Sequence, residues 1–184
     1  MIGIPKGAKK VFKGVIFDVY QWEQELYDGS KTTFEKLKRP DTACTIAVTS
    51  EKKIVLAFDE QPDREGEYAT LGGRVDEGED ILNAAKRELK EESGYESKDW
   101  ELFSSVVPSN KIAWTVYTYI ARNCKKVTEP ELDAGEKITL KEVDFDEFVD
   151  IVTSEDFQDT TLANEVLRMK LEGRLDELKK RLLK

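Results

Sequence analysis

The sequence predicts an α/β fold with a small antiparallel β unit in front of it, and three stretches carry that prediction. Thr42 to Thr49, TACTIAVT, is a near-continuous apolar run rather than an alternating one, the pattern of a strand covered on both faces. Gly73 to Tyr95, GRVDEGEDILNAAKRELKEESGY, places Leu82, Ala85 and Leu89 three and four apart, the apolar stripe of an amphipathic helix. Lys10 to Leu37 is rich in aromatic and β-branched residues and is broken once, at Asp28-Gly29.

Taken in order, Lys10 to Leu26 reads as one long strand or two, through Val11, Phe12, Val15, Phe17, Val19, Tyr20 and Trp22. After the Asp28-Gly29 turn, Thr32 to Leu37 resumes the extended pattern, and the unit ends near Arg39-Pro40. This divides the chain into a β unit over 1–41 and a larger domain over 42–184. So small a sheet cannot bury both faces alone and must pack on the rest of the chain or on a second copy. Ile54 to Phe58 reads as the neighbour of the central strand, Gln61 to Gly66 as a loop, and Tyr68 to Leu71 as a short strand leading into Gly72-Gly73. Gly94 suits the left-handed cap that ends a helix. Trp100 to Val107 and Ile112 to Arg122 are further strands, with a turn at Pro108 to Lys111. Glu129 to Lys137 is an acidic loop, Ile138 to Val143 a strand, and Phe145 to Ile151 a short helix capped by Asp144. From Thr160 the chain reads as helical to its end, with Leu167, Leu171, Leu175, Leu178 and Leu182 on one stripe whose first half is expected in the core. Gly173 is where that helix would break in two.

The 184 residues suffice for one good core with a small appendage, and 39% hydrophobic with 36% charged residues is ordinary for a globular protein. A formal charge of −9 argues against binding the phosphate backbone of nucleic acid. It also means that an anionic substrate needs cations or a local basic patch to approach. Cys44 and Cys124 have no metal-type spacing and read as two buried small hydrophobes. MIGIPKGAKK lacks the apolar run of a signal peptide and no stretch is long enough to span a bilayer, so the cytoplasm is the expected compartment, with no membrane partner. Histidine is absent, which removes imidazole as nucleophile partner, general base or ligand. A metal site must then be built mainly from oxygen, which suits Mg²⁺, Mn²⁺ or Ca²⁺ rather than zinc.

On a helix, Glu88, Glu91 and Glu92 fall within an arc of roughly 100°, with Arg87 just before them. Glu88 and Glu92, four apart, repel each other, and a multivalent cation would reverse that penalty. An acidic, solvated helix face is the ordinary reading of two glutamates, but it does not account for the whole spacing. A glycine is followed after five residues by Glu79, then by Arg87-Glu88, an apolar residue, Glu91-Glu92, Gly94 and a hydrophobe. At average composition this arises by chance on the order of once in 10⁹ start positions. The stretch resembles the signature of the Nudix hydrolases, with Tyr95 standing where an aliphatic residue is usual.

That resemblance implies an α/β/α sandwich with a mixed sheet, and hydrolysis of a nucleoside diphosphate linked to another group, with Mg²⁺ or Mn²⁺ as cofactor. By position, Glu88 and Glu92 match the two main metal ligands, Glu91 a further or water-mediated one, and the Gly72 carbonyl another. Arg87 and Glu79 match a supporting pair that orients the ligands. The order of β unit, RPDTACTIAV, acidic box, acidic loop and terminal helix resembles the ADP-ribose pyrophosphatase branch. In that branch the β unit helps to build a homodimer, and a late acidic loop supplies a metal ligand or general base. Glu136 is the best match for the latter, with Glu131 and Asp133 nearby. Arg64 in FDEQPDR is a candidate phosphate clamp, and Arg39 and Arg74 are candidate phosphate contacts. Trp22 and Tyr20 could stack an adenine. A pyrophosphohydrolase that clears damaged nucleoside triphosphates is a rival reading, for which the β unit would be superfluous. A non-catalytic nucleotide sensor is another, and it would be expected to have lost some of the three glutamates.

Overall fold

The computed structural model describes residues 3–62, 64–132 and 134–184; Asp133 and the side chain of Arg64, both singled out from the sequence, lie outside that description. The β unit is built from β1 (Lys9–Lys13), β2 (Asp18–Glu25) and β3 (Lys31–Lys38), all antiparallel, with the β2–β3 turn at Asp28-Gly29 as expected. The central strand β4 (Thr42–Thr49) is buried almost throughout, and β5 (Ile54–Gln61) follows it. Next comes β6 (Arg64–Ala69) and then β7 (Leu71–Arg74), which contains both Gly72 and Gly73. The expected loop over 61–66 is therefore largely strand: β5 runs on to Gln61, which pairs with Arg64 of β6.

Helix α1 (Ile81–Ser93) starts at Asp80, whose carboxylate accepts from the Asn83 amide, and ends at Gly94 with φ 72°. After it come β8 (Tyr95–Glu96), β9 (Asp99–Val106), β10 (Ile112–Ala113), β11 (Val116–Lys126) and β12 (Lys137–Val143). The expected single strand over 112–122 is thus two: β10 pairs in parallel with β3 and joins the N-terminal sheet, whereas β11 pairs in parallel with β4. The chain closes with α2 (Phe145–Val152), α3 (Thr160–Leu171) and α4 (Leu175–Leu183). Asp144 caps α2 as expected, and Gly173, at φ 69°, separates α3 from α4.

The main sheet is mixed and runs β12-β5-β4-β11, with β9 beyond β11. Alternate residues of its central strands face opposite layers. Ile46 and Val48 of β4, Ile54 and Leu56 of β5 and Ile120 of β11 pack with α2, α3 and α4. Ala43, Ala47, Val55, Ala57 and Ala121 point to the other side, where Ala84, Ala85 and Leu89 of α1 meet them. This is an α/β/α sandwich. The small side chains on the α1 side let the helix lie close on the sheet, while burying Leu89 alone contributes about 2 kcal/mol.

The leucine stripe needs correction. Leu167 and Leu171 are exposed, Leu171 to 87%, and the residues of α3 that enter the core are Leu162, Val166 and Met169. Leu178 and Leu182 of α4 are fully buried. The break at Gly173 rotates the second helix relative to the first, so one continuous stripe does not describe both.

Candidate active site

The main sheet forks, and the fork positions the site. Along one edge, β4 pairs with β7 through Thr42 to Thr45 and with β5 only at Ala47 and Val48. Past Val55, β5 leaves β4 and pairs with β6 instead. β7 lies in the opening, and α1 packs over it. Gly72 sits at φ 152° opposite Cys44, where a Cβ would lie 2.3 Å from the Ala43 carbonyl oxygen, so neither the backbone angle nor the space admits a side chain. At Gly73 a Cβ would lie 2.6 Å from Oε1 of Glu88. The twin glycines let a helix-borne carboxylate rest directly on strand backbone.

Arg87 organises the carboxylates. It holds Glu79 through two bonds of 3.0 Å, donates through Nη1 to Glu88 at 2.8 Å and Glu91 at 3.0 Å, and through Nη2 to the Arg74 carbonyl at 3.0 Å. Glu79 above all, with Glu88 and Glu91, holds this guanidinium far above its ordinary pKa, against partial burial. Arg87 in turn lowers Glu79. Glu92 is more deeply placed. Burial pushes its carboxyl well above the usual range, opposed by a 2.6 Å bond from the Gly72 amide and reinforced by the charges of Glu88, Glu136 and Asp59. Glu88 is raised by burial as well, with Arg87 acting against it and Glu91 and Glu136 with it.

The acidic loop is tied to this helix. The Val127 amide donates to the Gly94 carbonyl at 2.8 Å and the Glu131 amide to the Glu91 carbonyl at 2.7 Å. One cavity of about 420 Å³ is lined by Gly72, Gly73, Arg87, Glu88, Glu91, Glu92, Glu131 and Glu136, among others. It shares Gly72, Gly73, Arg74, Glu92 and Glu136 with a second of about 490 Å³, whose far walls carry Arg39, Trp114 and the start of α3 from Asp159 to Thr161.

The donor set fits a hard divalent ion. It is all oxygen, and Glu88 and Glu92 lie where burial above all disfavours their negative charge, a cost that a bound cation would offset. As they stand, Glu88 and Glu91 are held by Arg87 and one oxygen of Glu92 by the Gly72 amide. Among the described residues no three carboxylates converge on one point, so loading an ion requires these side chains to turn inward. The cysteines take no part: burial pushes Cys44 up to about 12 and Cys124 up to about 11, and both are free thiols.

The other expected contacts are spread more widely. Arg74 lines both cavities, its side chain about two-thirds exposed and near Asp76 at 3.5 Å. Arg39 lies between two rings, 4.6 Å from Trp114 and 5.8 Å from Phe17, and its Nε is buried without a hydrogen-bond partner. Trp22 lies on the β unit, edge-to-face with Phe34 at 6.0 Å, and does not reach the carboxylates within one chain. Tyr20 lines a separate cavity of about 1080 Å³ between the β unit and the loop before α1, and Arg39 and Trp114 form its wall too. Trp114 and Asp159 were not singled out from the sequence. Trp114 comes to Arg39 through strand register, and Asp159 caps α3.

The NUDIX domain family model matches residues 38–166. An ADP-ribose pyrophosphatase of Bacillus subtilis (strain 168) is 27% identical over 174 residues, covering 93% of this chain and 94% of that protein. A methanol dehydrogenase activator of Bacillus methanolicus is 28% identical over 167 residues, covering 88% of this chain and 90% of its own length. The crystal structure of an ADP compounds hydrolase superposes with a TM-score of 0.72 at 21% identity, covering 92% of this chain and 95% of that one. At that identity the likeness speaks for the fold.

Proposed function

The chain belongs to the Nudix hydrolase family, and from that premise we propose that it hydrolyses the pyrophosphate bond of ADP-ribose or a nucleotide sugar with Mg²⁺, or Mn²⁺ in its place. The observation that carries this reading is the pair of adjoining cavities: five glutamates and the twin glycines at one end, and at the other an arginine without a carboxylate partner among the described residues. A pyrophosphate diester has the charge to match both ends, and a linked sugar has room in the remaining volume. One relative named above is an ADP-ribose pyrophosphatase, and it supports the substrate class.

Gly72 through its carbonyl, with Glu88, Glu91, Glu92 and Glu136, would hold the cation. When bound, it neutralises the phosphate oxygens and acidifies the attacking water. The chain's own groups do the rest. Arg39 and Arg74 grip phosphate oxygens, and the Arg87–Glu79 pair keeps the ligand helix and its loop in register. Glu136, on the loop that faces Glu88 and Glu92, takes the proton as the water oxygen bonds to phosphorus. The bridging P–O bond breaks with its electron pair leaving on the departing phosphate, giving a nucleoside monophosphate and a phosphorylated remainder.

A homodimer completes the proposal. Val11, Phe12, Val15, Ile16 and Tyr27 of the β unit are more than half exposed, an apolar area that a second copy would cover, and Trp22 and Tyr20 could then offer a base a face. No helix among the described residues is long and apolar enough to cross a membrane, and the free thiols suit a reducing cytoplasm, where we place the protein.

The test is a panel of ADP-ribose, nucleotide sugars, dinucleoside polyphosphates and nucleoside triphosphates with Mg²⁺, read by monophosphate release. AMP together with ribose 5-phosphate from ADP-ribose is the expected result. Preference for a triphosphate would hand the site to the sanitising reaction, and tight binding with no product would make it a sensor.

A further inference from the structure

Arg39 and Trp114 are 75 residues apart in the chain and adjacent in space because two strand pairs run side by side. Leu37 and Lys38 of β3 register with Ile112 and Ala113 of β10, and a little further along both strands Thr42 of β4 registers with Val116 of β11. Arg39 and Trp114 fall in the gap between these parallel pairings, where the Arg39 amide donates to the Ala113 carbonyl at 3.4 Å. The indole N–H donates to the Thr42 hydroxyl oxygen at 3.0 Å, which fixes the ring, and the guanidinium lies over its face at 4.6 Å. Phe17 lies on the guanidinium too, at 5.8 Å. No carboxylate pairs with Arg39 among the described residues, and its Nε is buried without a partner.

We infer that Trp114 is the positioning residue for Arg39, presenting a dehydrated, fixed guanidinium to the substrate's phosphate and so setting affinity rather than turnover. The inference rests on the phosphate-contact reading of Arg39 above. An aromatic face can immobilise an arginine without neutralising it and without occupying its N–H donors. A carboxylate would hold the side chain equally well but would cancel the charge that the phosphate needs. Stripped of part of its water, the cation bonds an anion more strongly than it would in bulk solvent.

Steady-state kinetics on ADP-ribose with Mg²⁺ test this in wild type, Arg39→Ala, Trp114→Ala, Trp114→Leu, Trp114→Phe and the double variant Arg39→Ala/Trp114→Ala. Trp114→Ala and Trp114→Leu should raise KM roughly tenfold and change kcat by less than about twofold. Trp114→Phe, which keeps a ring face, should recover most of the loss, and the double variant should be no worse than Arg39→Ala. If Trp114→Ala does not fold, the contrast between Leu and Phe decides alone. A wild-type KM in Trp114→Leu, equal KM values in the Leu and Phe variants, or multiplicative losses in the double variant would overturn the inference and leave the Arg39 contact standing. A wild-type KM in Arg39→Ala would overturn both.

Discussion

At the scale of single residues, the site is a store of electrostatic tension. Glu92 is held in a buried place where its charge is disfavoured, and the Gly72 amide acts against that cost. Because its folded pKa lies above the unfolded one, the native state binds the extra proton between the two values. Its contribution to stability therefore weakens as pH rises out of the acid range. Without divalent ions, the melting temperature of wild type should fall from about pH 5 toward neutrality more steeply than that of Glu92→Gln, and saturating Mg²⁺ should restore only the wild type. The same variant should lose turnover by roughly 100-fold or more while staying folded, and unchanged activity would remove Glu92 from the site. Gly73→Ala should lose about 100-fold in kcat/KM, since its Cβ would occupy the space of the Glu88 carboxylate. The glutamates were legible in the sequence because one helix carries them at fixed spacing. Trp114 was not, since nothing near it in the chain says that β10 will lie beside β3.

Among the elements, α4 shows how charge adds to a buried apolar face in securing a helix. Arg122 of β11, 1% exposed, donates to the Arg181 carbonyl at 2.8 Å and pairs with Asp99 and Glu101. Glu101 also receives Arg181 and, at 2.9 Å, Lys184. Burial works against ionising Glu101, but Arg181, Lys184 and Arg122 outweigh it and bring the carboxyl down to about 2. A depressed acid stabilises the fold above its unfolded pKa, so this support should be lost as pH falls from about 4.5 to about 2. Glu101→Gln should cost about 3 kcal/mol in urea unfolding at neutral pH, because a buried guanidinium loses a partner, and should remove that part of the acid sensitivity. The ends of two helices were legible from their caps, with Asp144 and Gly94 placed as expected. The burial phase of α3 was not: the leucine stripe picks out Leu167 and Leu171, which are exposed, whereas Leu162, Val166 and Met169 enter the core, and only past Gly173 do the stripe residues Leu178 and Leu182 lie buried.

For the whole molecule, the fold class followed from the unbroken apolar run of β4, which only a strand buried on both faces explains. What local pattern could not supply was the pairing between distant strands, on which the fork that opens the site depends. The exposed apolar residues of the β unit make assembly the test at this scale. Val15→Asp with Ile16→Asp should convert a dimer to a monomer in sedimentation, and a monomeric wild type would remove the homodimer from the proposal.

The two-residue strand β10 has a practical bearing on protein engineering. Because the later chain lends a rung to the leading sheet, a clone begun at residue 42 would leave that rung with an unsatisfied ribbon edge and would strip the Trp114 indole of its neighbour Arg39. The leading segment is thus no detachable cassette. Grafting it onto another scaffold, or swapping in a foreign one, would have to carry the Ile112–Ala113 dipeptide along as part of the transplant.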